Sequence, residues 1–441
     1  MALTKTLVRA TLVAALGGLL FGFDTAVIAG TTSALRQLFG LSPAALGLTV
    51  SIALWGTVAG SLLASLPADR WGRRESLQLT AVLFLLSALG CASAWNWPAL
   101  VTARFIGGLG IGAASVLGPM YIAEIAPARW RGRLVGIFQF NVVAGILLAY
   151  FSNYVIGLFG LGAAEWRWKL GVAALPALAF LLALIGIPSS PRWLAKQGQL
   201  AEARQVLQLV GEEDVDRALA DIEASLRSSH GPTERLFQWK YRVPVLLAVS
   251  LAMFNQLSGI NAILYYLNDI FERAGFSKVS GDLQAVIVGL TNLVFTVLAM
   301  SVIDRVGRRT LLLVGSVGTA ACLFGVAWIF LTGAHERMLL LFLVGYIAAF
   351  AFSQGAVIWV YLSEIFPTPV RAQGQSLGSF THWFMNALIS WTFPVMASYS
   401  GGYPFIFFGG MMVLQFFAVL LFYPETKGLT LEQMQRKLGI E

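Results

Sequence analysis

The chain has 441 residues, of which 57% are hydrophobic and only 12% charged. Soluble domains carry about 25% charged residues, so this composition excludes a water-exposed globule, and with it disorder, a disulfide scaffold or a coiled coil. The formal charge of +8 then reads as basic loops beside membrane spans rather than a nucleic-acid surface. The chain opens with Lys5 and Arg9 before an apolar run, as a signal peptide does. The run continues for about 20 residues, the length of a spanning helix, and no small-residue cleavage site precedes a mature domain. It is read as a first span. Twelve such runs follow in chain order: 9–30, 46–66, 76–95, 99–123, 134–158, 168–187, 244–270, 283–303, 310–332, 338–363, 373–397 and 402–422. The seventh, tenth and eleventh are interrupted by Gly, Pro or polar residues.

Orientation follows from Lys and Arg, which collect on the cytoplasmic side. With residue 1 inside, 23 of the 30 basic residues fall in inside segments. Six (Arg36, Arg167, Lys169, Arg273, Lys278 and Arg337) fall outside, and Arg104 lies within a span. Both ends are therefore expected inside. One long polar stretch, 188–242, carries charges at helical spacing (Glu202, Arg204, Asp216, Arg217, Asp221, Glu223, Arg227). It is expected to be a cytoplasmic helical insert packed under the bundle. The expected fold is an all-α membrane protein of twelve helices in two six-helix halves. Residues 1–187 and 243–424 form the halves, 188–242 the insert and 425–441 a cytoplasmic tail.

The two halves repeat each other. Asp69-Arg70-Trp71-Gly72-Arg73-Arg74 follows span two, and Asp304-Arg305-Val306-Gly307-Arg308-Arg309 follows span eight, 235 residues later. Glu124 ends span four, with Pro127 and Arg131 at offsets three and seven. Glu364 ends span ten, 240 residues later, with Pro367 and Arg371 at the same offsets. Duplicated halves are common in transporters, with the substrate site near the midplane between them. The repeated acids and bases can pair across the cytoplasmic helix ends and lock the inner side, which opening would break.

Ionisable groups inside a span cost about 2.5–3.5 kcal/mol each on insertion scales, so they mark functional candidates. Asp24 lies deep in span one and Arg104 in span four. A carboxylate beside a guanidinium lowers the desolvation cost of both, and protonating Asp24 would release Arg104, as a proton-coupled switch requires. Amides cluster as well: Gln139 in span five, Asn255, Gln256 and Asn261 in span seven, Asn292 in span eight and Asn386 in span eleven. Amides both donate and accept, which suits a neutral, hydroxyl-rich ligand. Trp359 and Trp383 offer flat faces for the C–H side of a sugar ring. His382 could titrate near neutral pH, although one histidine in a span more often only hydrogen-bonds. Gly259 suggests a broken seventh helix lining a cavity, with Tyr265 and Tyr266 as the plug of an outer gate.

Cys91 and Cys322 sit in apolar stretches, and neither HExxH nor CxxC spacing occurs. No metal site, cofactor or catalytic constellation is expected, and the chain is not read as an enzyme. Six stretches carry a resemblance: Gly22-Phe23-Asp24-Thr25-Ala26-Val27-Ile28-Ala29-Gly30, Asp69-Arg70-Trp71-Gly72-Arg73-Arg74, Pro119-Met120-Tyr121-Ile122-Ala123-Glu124, Pro191-Arg192-Trp193-Leu194, Gln256-Leu257-Ser258-Gly259-Ile260-Asn261 and Pro424-Glu425-Thr426-Lys427-Gly428. Together they make the chain resemble the sugar porters of the major facilitator superfamily, close to the bacterial proton-coupled xylose and hexose symporters. The resemblance implies that Asp24 is the proton-coupling acid, which facilitative relatives replace by Asn, and that Arg104 is its partner. It implies sugar contacts for Gln139, Gln256, Asn261, Asn292 and Trp359, with Phe21 and Trp383 as aromatics by the cavity. Asp69, Arg73, Glu124, Arg131, Asp304, Arg308, Glu364 and Arg371 then form the cytoplasmic salt-bridge network.

Four positions depart from that pattern. Asn255 stands for the first of two glutamines, His382 for Gln or Asn, Ala356 for a proline of the tenth helix, and Ser189 for a glutamate. The third predicts a stiffer hinge in span ten, and the fourth a weakened inner salt bridge. The expected function is a monomeric, proton-coupled monosaccharide importer of the inner membrane, working by alternating access. Its partners are a hexose or pentose, the proton and the lipid bilayer, with no nucleic acid. The alternatives are a facilitative uniporter and a non-transporting sugar sensor. The sensor is disfavoured because only 17 residues follow Pro424.

Overall fold

The structure, a computed structural model, describes residues 3–228, 234–429 and 431–440. These residues are helical throughout the expected runs, with no strand among them. Eleven described helices are long and apolar enough to cross a membrane. The eleventh expected run is a helix of 29 residues, Arg371–Tyr399, that falls outside this set. Its Gln, Ser, Thr, His and Asn residues make it more polar than the others, and these are the groups expected to serve a ligand. With it, all twelve expected helices are present.

Several spans start before their apolar stretch because polar residues cap them. Span four runs Trp97–Ile125, with Asn96 Oδ1 accepting from the Ala99 N–H at 2.9 Å. Span one, Lys5–Val27, begins at Thr4, whose Oγ1 accepts from the Leu7 N–H at 3.2 Å. Such caps satisfy donors that a helix start leaves open. Span six is interrupted, Glu165–Gly171 then Ala174–Leu184. Span seven breaks as expected, Arg242–Leu257 then Ile260–Tyr265. Gly259 stands at the break with φ +82°, a left-handed conformation that a β-carbon would strain.

Span ten, one of the runs expected to be interrupted, breaks without the proline that Ala356 replaces, Leu339–Phe352 then Gln354–Glu364. Ser353, at φ −122° and ψ −90°, makes the interruption three residues earlier. Its hydroxyl donates to the Ala349 carbonyl at 2.6 Å, taking an acceptor from the helix ladder.

The chain divides into two compact units. The first comprises Met1–Ile28, Ile52–Ser152 and Gly160–Pro232. Its core joins Ala10 and Ala14 of span one, Ala114, Leu117 and Tyr121 of span four and Phe180 and Leu184 of span six. Small residues at these faces let helices approach closely, which drives association where lipid offers no hydrophobic gain. The insert forms three helices, Pro191–Lys196, Leu200–Val210 and Val215–Ser228. Leu194, Ala203, Val206 and Val210 join the same core. The Trp193 indole donates to the Asp69 carbonyl at 3.2 Å, so the insert packs on this unit as expected.

The second unit comprises Ala29–Ser51, Asn153–Phe159 and Thr233–Glu441. It holds spans seven to twelve together with the helix Thr32–Phe39 and the start of span two, Pro43–Leu63. The Trp391 indole donates to the Ala44 carbonyl at 3.2 Å, and Ser33 Oγ to Glu272 Oε1 at 3.3 Å. Its core gathers Leu251, Leu312, Ile358, Tyr361 and Val419, with Leu236 and Tyr241 from the segment that leads into span seven.

Candidate functional site

In the first unit Asp24 and Arg104 meet as expected. Arg104 Nη1 stands 3.4 Å from Asp24 Oδ1 and 3.3 Å from Oδ2. The Arg104 side chain is 3% exposed and that of Asp24 14%. A guanidinium fork on a carboxylate makes two bonds near 2.8 Å. Here a single nitrogen shares itself between both oxygens, and Arg104 Nε has no hydrogen-bond partner among the described residues. The pair is buried but loosely held. Ser87 and Gly107 lie beside it: a β-carbon on Gly107 would fall 2.4 Å from Ser87 Oγ and 3.7 Å from Asp24 Oδ2. Phe21 and Gln139, both half-buried, belong to the same unit.

The repeated motifs form the same constellation twice, once in each unit. Arg73 reaches Glu124 at 2.9 Å and Asp69 at 3.6 Å, and its Nη1 donates to the Ala68 carbonyl at 3.0 Å. Arg308 reaches Glu364 at 2.7 Å and Asp304 at 2.9 Å, and its Nη1 donates to the Ile303 carbonyl at 3.3 Å. Each arginine thus ties the end of one span to the end of another within its own unit. Arg131 and Arg371 donate to the carbonyls of Ala126 and Phe366, at 3.5 and 3.3 Å. The weakened salt bridge expected at Ser189 is offset by its neighbour, since Ser190 Oγ donates to Glu124 Oε2.

Glu425 is a partner the motif comparison did not single out. Its carboxylate accepts from the N–H groups of Arg308, Arg309, Thr426 and Lys427 at 2.9–3.0 Å. It therefore caps the start of span nine, Arg308–Thr332, from the tail. Burial would raise its pKa, but these four donors outweigh burial and hold the carboxyl below its ordinary value. Thr426 Oγ1 continues the link by donating to Glu364 Oε2 at 2.6 Å.

The second unit assembles the expected amides of span seven against span eleven. Asn261 Nδ2 donates to Gln256 Oε1 at 2.9 Å, and Gln256 Nε2 donates to Asn255 Oδ1 at 3.1 Å. The same Gln256 Nε2 lies 3.1 Å from each ring nitrogen of His382. Trp359 and Trp383 flank that ring, each with its centroid 5.1 Å away. Trp383 is buried, whereas Trp359 is 40% exposed and keeps a free face. Asn255 spends both ends of its amide inside the protein, since its Nδ2 donates to the Gln354 carbonyl at 3.3 Å. It backs Gln256 from behind. Asn292 is buried on span eight, Lys278–Val306, outside this chain of bonds.

Asn386 Nδ2 donates to the Tyr265 hydroxyl at 3.3 Å, and Ser390 Oγ to Asn386 Oδ1 at 3.2 Å. The Tyr266 hydroxyl donates to the Ser390 carbonyl at 2.9 Å, and its ring stacks on Phe393 at 5.0 Å. Both tyrosines are buried against span eleven. The Tyr346 hydroxyl donates to the Ser258 carbonyl at 2.9 Å and so satisfies an acceptor freed by the helix break. Gln354, Tyr346 and Ser390 were not among the sequence candidates. A polar residue beside an interrupted span was the signal available for Gln354. Ser390, four residues after Asn386, was open to the same periodicity. Nothing in the sequence marked Tyr346. Among the described residues no group of three His, Cys, Asp or Glu side chains could hold a metal ion.

Comparison with known proteins decides the family. Residues 10–438 match the family model for sugar (and other) transporters. The chain belongs to the sugar transporter family. It is 39% identical to the D-xylose-proton symporter of Escherichia coli (strain K12), across 96% of this chain and 94% of that one. It is 38% identical to the arabinose-proton symporter of Bacillus subtilis (strain 168), across 96% and 93%. The inward open conformation of the xylose transporter XylE from E. coli superposes with a TM-score of 0.88 at 38% identity, across 98% of this chain and 99% of that one. The proton:xylose symporter XylE bound to 6-bromo-6-deoxy-D-glucose gives 0.80, with the same identity and coverage. The fold is therefore that of a major facilitator sugar porter, and the family transports rather than catalyses.

Proposed function

We propose that this sugar transporter is a proton-coupled monosaccharide importer that works by alternating access. The observation that carries the proposal is the loose, buried contact between Asp24 and Arg104. An intramembrane carboxylate and guanidinium held at 3.3–3.4 Å can exchange a charge pair for a protonated acid and a freed arginine. A purely structural pair would gain more from the shorter, forked geometry. The names of the symporters to which the chain is similar support the same reading.

The residues divide the work. Asp24 takes the proton and Arg104 senses it. Gln256 and Asn261 present amides to the sugar hydroxyls, with Asn255 and His382 fixing the Gln256 amide from behind. Trp359 offers its exposed face to the ring carbons. Asn292, Trp383 and Asn386 are further sugar-site residues of the second unit, and Phe21 and Gln139 are the candidates that the family resemblance implies in the first. Tyr265 and Tyr266, on the segment beyond Gly259, gate the site. The charge constellations around Arg73 and Arg308 hold the cytoplasmic ends. Residues 1–187 and 243–424 act as the two halves, 188–242 as the insert and 425–441 as the tail. The basic-residue distribution supports insertion in the inner membrane with both ends in the cytoplasm.

The test uses Asp24→Asn in proteoliposomes. The variant is expected to lose uphill accumulation while keeping sugar exchange across the membrane. Accumulation equal to that of the wild type would refute proton coupling through Asp24. Gradient-independent equilibration by the wild type itself would make the protein a uniporter.

A further inference from the structure

The segment Glu234–Arg242 leads from the insert into span seven, and it is built rather than loose. The Leu236 N–H donates to Gln373 Oε1 at 3.0 Å, and Gln373 Nε2 donates back to the Glu234 carbonyl at 2.9 Å. The Tyr241 hydroxyl donates to Glu234 Oε2 at 2.6 Å, and Lys240 Nζ pairs with the same oxygen. Leu236 and Tyr241 point into the core of the second unit. Held this way, the segment displays Phe237 at 80% exposure and Trp239 at 79%. The Arg242 guanidinium lies over the Trp239 ring at 4.2 Å, and Arg235 is exposed beside Phe237.

Two large aromatics fixed outward by hydrogen bonds would expose apolar area to water for no return. Their place removes that difficulty, because Trp239 is also where the seventh membrane span begins. Trp together with Arg and Lys at the end of a span suits the headgroup layer. Three cations, Arg235, Lys240 and Arg242, face one acid, Glu234, and basic clusters just inside the membrane attract anionic lipid.

We propose that Glu234–Arg242 is a binding surface for anionic phospholipid headgroups of the cytoplasmic leaflet, with Arg235 and Arg242 contacting the headgroup and Phe237 and Trp239 seated at the acyl boundary. This rests on the inside placement of the insert given above, but its test needs neither sugar nor proton gradient. The full-length protein is reconstituted with brominated phosphatidylglycerol or brominated phosphatidylcholine. The fluorescence difference between wild type and Trp239→Phe isolates the Trp239 signal. Brominated phosphatidylglycerol is expected to quench that signal more strongly. The preference is expected to fade in about 1 M salt, where the Debye length is about 3 Å. It should also fall by about fivefold for each cation removed in Arg235→Gln and Arg242→Gln. Equal quenching by the two lipids would reduce the surface to a generic interfacial contact and overturn the proposal. Absence of a quenched Trp239 component would place the segment in water and overturn it too.

Discussion

Lys169 shows how far a single residue can depart from its sequence reading. It was counted with the outside charges, yet its side chain is 0% exposed and meets Glu165 one turn earlier at 2.9 Å. A charge can be kept dry in this way only with a partner, because breaking a buried pair leaves an uncompensated ion at a cost of about 3–5 kcal/mol. Lys169→Met is therefore expected to lower the melting temperature in detergent strongly. Glu165→Gln combined with Lys169→Met should restore most of it. A single variant as stable as the wild type would show that the pair is dispensable. His382 is the opposite case. The sequence allowed a titrating group, but the ring is enclosed by Gln256, Trp359 and Trp383. Its ring nitrogens both lie 3.1 Å from the Gln256 amide nitrogen, which gives it a hydrogen-bonding role. His382→Gln is expected to leave the pH profile of uptake in place, whereas Asp24→Asn should abolish its dependence on the gradient. Gln256 ties both ends of this arrangement. Gln256→Ala would strand the Asn255 and Asn261 amides and remove the proposed sugar contact, and should raise the apparent KM by about tenfold or more.

Among the elements, the most informative are the interrupted ones. The break in span seven was legible because Gly259 is the residue that tolerates φ +82°. The break in span ten was legible only as a run interrupted by polar residues, and nothing in the sequence placed it at Ser353. Glu425 was quoted only as part of a motif, since a cap supplied from more than a hundred residues away has no local signature. The cap makes its own prediction. The folded-state pKa of Glu425 lies below the ordinary value, so its stabilisation is complete above the unfolded carboxyl pKa of about 4.3. It is lost as the pH falls through the lower folded value. Proteolysis of the tail should therefore accelerate only below about pH 4 in the wild type. In Glu425→Gln, which costs about 0.5–2 kcal/mol on the scale of a lost helix cap, the tail should be labile at neutral pH. Identical cleavage rates in the two proteins would contradict the cap.

For the whole molecule, composition revealed a polytopic chain, Lys/Arg asymmetry its orientation, and two recurring motifs its repeated halves. The repeat is also visible as geometry, since Arg73 and Arg308 each start a helix, bind an acid four residues earlier at the end of the preceding helix, and bind a second acid at the end of another span. What the sequence could not resolve was which polar residues meet. Asn255, Gln256 and Asn261 are close along the chain, but their contact with His382 spans more than a hundred residues and depends on how spans seven and eleven pack. The central claim is that sugar uptake is driven by protons through this fold. The most direct measurement is uptake of labelled xylose and glucose into proteoliposomes with an imposed inward proton gradient, with and without a protonophore. Accumulation of one of these sugars above its external concentration, lost when the protonophore collapses the gradient, is the expected result. Uptake that stops at equilibrium and ignores the protonophore would contradict symport and leave Asp24 and Arg104 as a structural pair.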